Sequence, residues 1–318
     1  MDTEVSVLCT AYNHERYIRD CLEGFVSQKT SFRFEVLVND DVSTDSTADI
    51  IREYEQKYPN IVRGIYQKEN QYSKGVIINC DILLPLARGK YIAFCEGDDC
   101  WCDPFKLQKQ YDALEAHPEC YMSVHQTQKM REDGTPYQSY IPPQRTRAGI
   151  IAPDDFIQGK PGKSGFHLTS FFVRTDALRA YAKDPPAFRR CVDFGDIPYQ
   201  LYYGTLGPVY CIGGVLSRYR TGSRGSWSSR LASEPVEKME RHYDMVSRMF
   251  REFDQYTNGK YHDYCRYKQL SCEFRKHYIR GEYRALIQQK FRPVFKKLTL
   301  RQKAGVYYRL LKHPGSRK

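Results

Sequence analysis

Three short polar clusters in the first hundred residues carry the side chains that metal-assisted chemistry on a phosphorylated substrate needs. Each follows an apolar run: Thr10, Ala11, Tyr12 and Asn13 come after Val5 to Cys9, Asp40 and Asp41 after Phe34 to Val38, and Glu96, Gly97, Asp98 and Asp99 after Tyr91 to Cys95. Taken singly, each has a plain structural explanation. Asp40 to Asp45 suits a helix cap, and Glu96 to Asp99 suits a tight turn with glycine at positive φ. If the apolar runs are parallel strands of one sheet, however, the clusters meet at its carboxyl edge, where open α/β sheets bind ligands. Carboxylates gathered there repel one another unless a cation lies among them. Oxygen ligands of this kind suit Mg2+ or Mn2+, which bridge protein carboxylates to substrate phosphates. No GxGxxG follows the first run and no GxxxxGK[ST] occurs, so the dinucleotide fingerprint and the phosphate-binding loop are both excluded.

Periodicity supplies the elements that would position these clusters. Ile18, Cys21, Leu22, Phe25 and Val26 recur at helical spacing between the first two runs, which makes a βαβ unit. Asp45 or Ser46 can cap a second helix with the stripe Ile50, Ile51, Tyr54 and Tyr58, and Ile61 to Tyr66 is a further strand. Val76, Ile77, Cys80, Leu83 and Leu84 predict a helix that Gly89 ends, and Phe105 to Ala116 another with Pro104 suited to its first turn. The alternation predicts an α/β fold, a mainly parallel sheet covered by helices. From Tyr121 to Ser228 the elements shorten and Pro and Gly multiply. Beyond Glu234 the chain turns helical, with Tyr243, Val246, Met249 and Phe250 at three- and four-residue spacing. The expected organisation is one domain over 1–233, in halves 1–120 and 121–233, with a basic helical extension over 234–318.

A chain of 318 residues, 41% hydrophobic and 27% charged, is that of a folded globular protein, neither disordered nor collagenous. It does not open on a basic segment followed by a long apolar one, and no stretch approaches the roughly 18 apolar residues of a membrane span. Secretion and membrane spanning are therefore not expected. The 11 cysteines are odd in number and form no CxxC pair, against a disulfide framework or zinc ribbon and for a reducing cytoplasm. The net charge of +11 is concentrated: residues 260–318 hold 17 Lys and Arg against 3 Asp and Glu, which leaves the rest slightly acidic. A basic tail fits nucleic acid, an anionic membrane surface or a solvated face. No RRM or KH signature accompanies it, which makes nucleic acid the weakest of the three. In EYRALIQQKFRPVFKKLTLRQKAGVYYRLLK apolar residues interleave with Lys and Arg as in interfacial helices, and Pro293 is expected to break the segment in two.

VSVLCTAYNHERYIRDCLEGFVSQ, FEVLVNDDVSTDST and GKYIAFCEGDDCWCDPFKLQKQ resemble, in that order, the successive signatures of family 2 glycosyltransferases with the GT-A fold, and the resemblance covers about residues 4–228. It implies a Rossmann-like mixed, mainly parallel sheet. It also implies an inverting enzyme that moves a sugar from a nucleotide-diphosphate donor, a UDP-sugar first of all, to a hydroxyl of a growing glycan or lipid-linked acceptor. The family motif after the second strand recognises the nucleoside, which implies Asp40 and Asp41, with Thr10 and Tyr12 beside them. Asn70 and Lys74 stand where members contact base and phosphate. Glu96, Asp98 and Asp99 take the place of the DxD element that binds Mn2+ or Mg2+; its first acid is Glu, so Asp98 is the foremost direct ligand.

The later segment GDIPYQLYYGTLGPVYCIGGVLSRYRTGSRGSWS resembles the family stretch whose first aspartate is the catalytic base, here Asp196. Inverting transfer needs a carboxylate to take the acceptor's proton as its oxygen attacks C1 of the sugar, and a metal to stabilise charge on the departing diphosphate. Read without the family, Asp196 is equally a helix cap, and Asp193 is a rival base. Where members have His in YRxH this chain has Gly222; Arg218, Arg220 and Arg224 are candidates to neutralise phosphate instead. Trp227 reads as a gap filler and His167, before a strand, as structural. The alternative on the same fold is a nucleotidyltransferase or a nucleotide-sugar-binding protein, which needs no base at Asp196. With the cysteines pointing to the cytoplasm, the basic tail is expected to hold the enzyme at the inner face of the cell membrane, the alternative being a basic helical pair packed on the catalytic domain.

Overall fold

In the computed structural model, which describes residues 2–159, 165–223 and 234–312, three of the apolar runs become adjacent parallel strands. β1 (Thr3–Ala11) lies between β2 (Arg33–Asp40) and β4 (Tyr91–Glu96), and β3 (Val62–Tyr66) extends the sheet beyond β2. Helices cover them, so β1, β2 and β4 are buried on both faces, which is why they read as near-continuous apolar runs. α1 (Ile18–Val26) contributes Ile18, Cys21, Leu22 and Phe25 to this core, α2 (Thr47–Lys57) contributes Ile51 and Tyr54, and α3 (Lys106–Ala116) Leu107 and Leu114. The remaining strands are β5 (Cys100–Trp101), β6 (Met122–Met130), β7 (Pro136–Ile141), β8 (Gly149–Ile151), β9 (Phe172–Arg174) and β10 (Val209–Arg220). The order is β3-β2-β1-β4-β9-β6-β10-β5, with β7 on β6 and β8 on β10. The four longest ladders, β1/β2, β1/β4, β2/β3 and β6/β10, are parallel and the shorter ones antiparallel. The sheet is thus mixed and mainly parallel, as expected. α4 (Pro153–Ile157), α5 (Thr175–Lys183) and α6 (Asp196–Leu206) complete the helices of this part.

Several local expectations are corrected. The segment from Val76 to Leu84 is not an α-helix: a π-helical turn, Ile78–Leu83, gives way to a 3-10 turn, Leu84–Leu86, because Pro85 has no N–H to continue the ladder. Pro104 lies outside α3, which starts at Lys106, and its carbonyl accepts the Lys29 N–H at 2.7 Å. Gly97 does not take positive φ. It is needed for close approach, since a Cβ there would stand 2.9 Å from His14 Nδ1 and from Ile18 Cδ1.

The chain divides into two compact units, Met1–Pro185 with Gly195–Ser226, and Pro186–Phe194 with Trp227–Lys318. The second holds α7 (Val236–Tyr256), α8 (His262–Ile279), α9 (Arg292–Lys297) and α10 (Leu300–Lys312). α7 buries Met249, Phe250 and Phe253, and Phe188 meets Phe253 edge-on at 5.3 Å. Phe274 of α8 joins Tyr283, Leu286, Phe291, Val294 and Val306 in a further core. Pro293 does not break a helix but sits in the first turn of α9. The break falls instead at Thr299, where the Thr299 N–H donates to Gln302 Oε1 and the Gln302 N–H to Thr299 Oγ1, a reciprocal cap that starts α10.

Candidate active site

The register of the parallel strands brings the three polar clusters to one edge. Thr10 pairs with Asn39 on one side and Glu96 on the other, and Ala11 with Asp40. Beyond the strand ends the Gly97 N–H donates to Thr10 O at 2.9 Å and the Asp41 N–H to Ala11 O at 3.0 Å. Val42 follows at φ 64°, a left-handed conformation that is an outlier for a β-branched residue.

At the β2 end the acids divide. Asp40 is buried; its Oδ2 accepts the Ser43 N–H at 3.3 Å, while Oδ1 is buried without a hydrogen-bond partner. Tyr12, one residue beyond the Ala11–Asp40 pair, is 47% exposed, and Thr10 is half-buried. Asp41 is already engaged: its oxygens accept the backbone N–H groups of Gln71 at 2.7 Å and Tyr72 at 3.0 Å. Asn70 donates to Asp41 O and accepts the Ser73 N–H, and Lys74 pairs with Glu69. Asp41 and Asn70 thus brace the 69–74 loop, while Lys74 and its partner Glu69 remain exposed.

At the β4 end Glu96, Asp99 and His167 each place one ligand atom within 4.8 Å of the others. Asp99 is fully buried; Oδ1 accepts the Arg220 N–H at 2.9 Å and Oδ2 faces His167 Nδ1 at 3.6 Å. The His167 ring packs on Tyr219 with centroids 4.2 Å apart. Glu96 opens to solvent on one side, yet the protein packed around its carboxyl, then the Asp98 and Asp196 charges, push it up to about 8. Burial, then Asp98, holds the Asp99 carboxyl well above the usual range, and burial lowers His167 to about 4, so its imidazole is neutral near pH 7. Acids kept from ionising together and a neutral imidazole are a donor set that fits Mn2+ or another divalent ion. Asp98, the foremost ligand by resemblance, lies outside this trio: its Oδ2 accepts the Ser223 hydroxyl at 2.8 Å.

Asp196 is the first residue of α6, after Gly195, and is not the helix cap. Burial raises its carboxyl, against the lowering effect of backbone N–H groups. Asp193 belongs to the other unit, where its charge acts on His242. The Arg220 guanidinium is buried over the Tyr17 ring and donates to Asp98 O, Glu132 O and Asp20 Oδ2 at 2.8–3.0 Å, so it clamps the acid turn from within. Arg224 and Trp227 lie outside the described residues. Sequence reasoning missed His167 and Ser223 as neighbours of the acids; no spacing ties either to residues 96–99. A cleft of about 980 Å³ lies apart from this centre, lined by residues that include Gln126, Tyr140, Arg145, Arg147 and Gly213, and by none of the acids.

The sequence model of Glycosyl transferase family 2 matches residues 6–181. An uncharacterized protein of Mycobacterium tuberculosis is 33% identical over 234 residues, 71% of this chain and 61% of that protein, so the match spans less than two thirds of the relative's length. TuaG of Bacillus subtilis, by its name a teichuronic acid biosynthesis glycosyltransferase, is 34% identical over 137 residues, 43% of this chain and 52% of that protein. Among solved structures, S. aureus TarS 1-349 in complex with UDP-GlcNAc matches with TM-score 0.59 at 16% identity, over 97% of this chain and 80% of that one. The mannosyltransferase PcManGT from Pyrobaculum calidifontis, in complex with GDP-Man and Mn2+, matches with TM-score 0.52 at 14% identity, over 100% and 89%. At these identities the two structures speak for the fold alone.

Proposed function

The chain belongs to glycosyl transferase family 2 and has the GT-A fold, and from that premise we propose that it is an inverting glycosyltransferase that moves a sugar from a nucleotide-diphosphate donor, a UDP-sugar first of all, to a hydroxyl of a glycan or lipid-linked acceptor. One observation supports this most: the register that sets Thr10, Asp40 and Glu96 side by side, with Asp196 near enough that its charge acts on Glu96. Tyr12 and Asp40 would meet the base and Thr10 the adjoining sugar. Glu96 and Asp99 would hold Mn2+ or Mg2+, with Asp98 adding charge; bound there, the ion stabilises the negative charge of the departing diphosphate. Asp196 takes the acceptor's proton. A nucleotidyltransferase or a mere binder would have no use for a carboxylate so placed, which favours transfer over those alternatives. The test is a panel of sugar nucleotides with Mn2+ and then with EDTA, scored for slow donor hydrolysis. Hydrolysis of one donor class that EDTA abolishes is expected; none with any donor would refute the transferase.

Tyr12 offers a flat exposed face where a base would stack, an interaction of about 1–3 kcal/mol. Tyr12→Ala is accordingly expected to weaken binding of UMP and of UDP alike, by roughly 10-fold. Calorimetry with both ligands checks it, and a loss confined to UDP would place the base elsewhere.

The C-terminal helix supports attachment to an anionic membrane at the cytoplasmic face. Among the described residues no helix is long and apolar enough to cross a membrane. α10, however, buries Val306 and packs Leu310 inward while Leu300, Tyr307, Tyr308 and Leu311, spaced along one stripe, are exposed, Leu300 by 86% and Leu311 by 82%. Arg301, Lys303 and Lys312 lie on the same helix, and each basic residue near an anionic leaflet contributes about 1 kcal/mol. The double variant Leu300→Asp, Leu311→Asp is expected to keep the wild-type melting temperature and to lose sedimentation with anionic vesicles. Salt-independent binding, or binding equal to wild type, would refute the attachment.

A further inference from the structure

We infer that His167 is a direct ligand of the divalent metal, a nitrogen donor beside the carboxylates of Glu96 and Asp99. The inference rests on the proposed metal-dependent reading and adds a ligand from a part of the chain unconnected with the acid turn. His167, in the turn before β9, lies with its Nδ1 3.6 Å from Asp99 Oδ2, and a ring nitrogen of His167, a carboxylate oxygen of Asp99 and one of Glu96 lie within 4.8 Å of one another. Asp99 is fully buried and this Oδ2 has no hydrogen-bond partner. His167 Nδ1 accepts the Thr169 N–H over a long 3.4 Å, which puts the ring proton on Nε2; ligation through Nδ1 would take over the lone pair that this weak bond now uses. Asp99 Oδ2 and His167 Nδ1 thus face each other beyond hydrogen-bond distance, the buried oxygen has no partner in the protein alone, and a cation between the two would give it one. Packing on Tyr219 fixes the plane of the ring, as an oriented ligand requires. Two carboxylates and an imidazole suit Mn2+ better than Mg2+, which takes oxygen almost exclusively.

The test uses the full chain with Mn2+ and UDP. The dissociation constant is read from the electron paramagnetic resonance of free Mn2+, and ligation from nitrogen hyperfine modulation in the spin echo of the bound ion. His167→Ala removes the ring; His167→Asn removes it too but keeps an acceptor for the Thr169 N–H and stands in if the alanine variant does not fold. Expected are nitrogen modulation in wild type, its loss in both variants, and Mn2+ affinity weaker by at least about 10-fold, the lower end of what loss of a ligand's outer-shell support alone costs. Mg2+ affinity should change less. Unchanged Mn2+ affinity, or retained modulation, overturns the assignment and leaves the carboxylate site standing; a lowered melting temperature with unchanged affinity would make His167 a packing residue. If wild type binds no Mn2+, with or without UDP, the metal reading itself fails.

Discussion

Asp196→Asn is expected to lower kcat roughly 10²–10⁴-fold, the loss typical of a missing general base, with donor affinity and melting temperature near wild type. Asparagine keeps the shape of the side chain at the first position of α6 and removes only its capacity to accept a proton. The sign of the pH dependence follows from burial, which raises the Asp196 carboxyl above its ordinary value. A base works only when ionised, so activity should fall as pH drops through that raised value. The acid limb of the kcat/KM profile should thus lie above the range of an ordinary aspartate, near 3.9, and should disappear in the variant. Asp193→Asn serves as the control: its side chain belongs to the helical unit and acts on His242, so its loss should be small. A larger effect at Asp193 than at Asp196 would move the base and undo the alignment on which the assignment stands.

What was legible in the sequence was whatever depends on local periodicity and on burial of both sheet faces. β1, β2 and β4 are near-continuous apolar runs because no face of them meets water, and the polar residues that end them had to fall together once the strands were parallel. Less legible was the use each polar side chain makes of its neighbours. Asp40 and Asp41 are adjacent and identical in type, yet one buries an oxygen without a partner and the other gives both to the backbone of the 71–72 turn. Arginine suits phosphate, but no sequence pattern shows that Arg220 gives three of its five N–H donors to Asp20, Asp98 and Glu132, residues far from it along the chain. His167 was set aside for the converse reason: a lone histidine carries no spacing signal, and only the return of the chain before β9 brings it to Asp99. The reciprocal Thr299–Gln302 cap is legible in the sequence, since T-x-x-Q ahead of an apolar stripe is a helix-start pattern, and it, not Pro293, sets the break before α10.

The acid turn allows a test in which activity and stability move in opposite directions. Without metal, Asp98 is the largest charge acting on both Glu96 and Asp99, and its effect on each is to oppose ionisation. Glu96 titrates near 8 in the folded chain against about 4.3 in an unfolded one. An acid with a raised folded pKa favours folding while protonated, so this contribution is complete below about 4.3 and is lost as pH rises through about 8. Asp98→Asn removes the repulsion while keeping an acceptor for the Ser223 hydroxyl. The metal-free variant should therefore melt a few degrees higher than wild type near pH 8, with a shallower decline between pH 5 and 8. A cation inverts the balance, because the three acids then attract it together and the loss of one charge weakens its hold and that of the diphosphate. Turnover with Mn2+ should drop on the order of 10²-fold or more, comparable to removing a preorganised electrostatic contact to developing charge. Added Mn2+ should raise the melting temperature of wild type more than that of Asp98→Asn, since a ligand stabilises in proportion to how tightly it binds the native state. Scanning calorimetry with and without EDTA, beside the donor-hydrolysis assay, measures all three. Near-normal turnover in Asp98→Asn, or a metal-free variant that melts below wild type at pH 8, would mean that the charges at 96–99 do not act together on a bound ion.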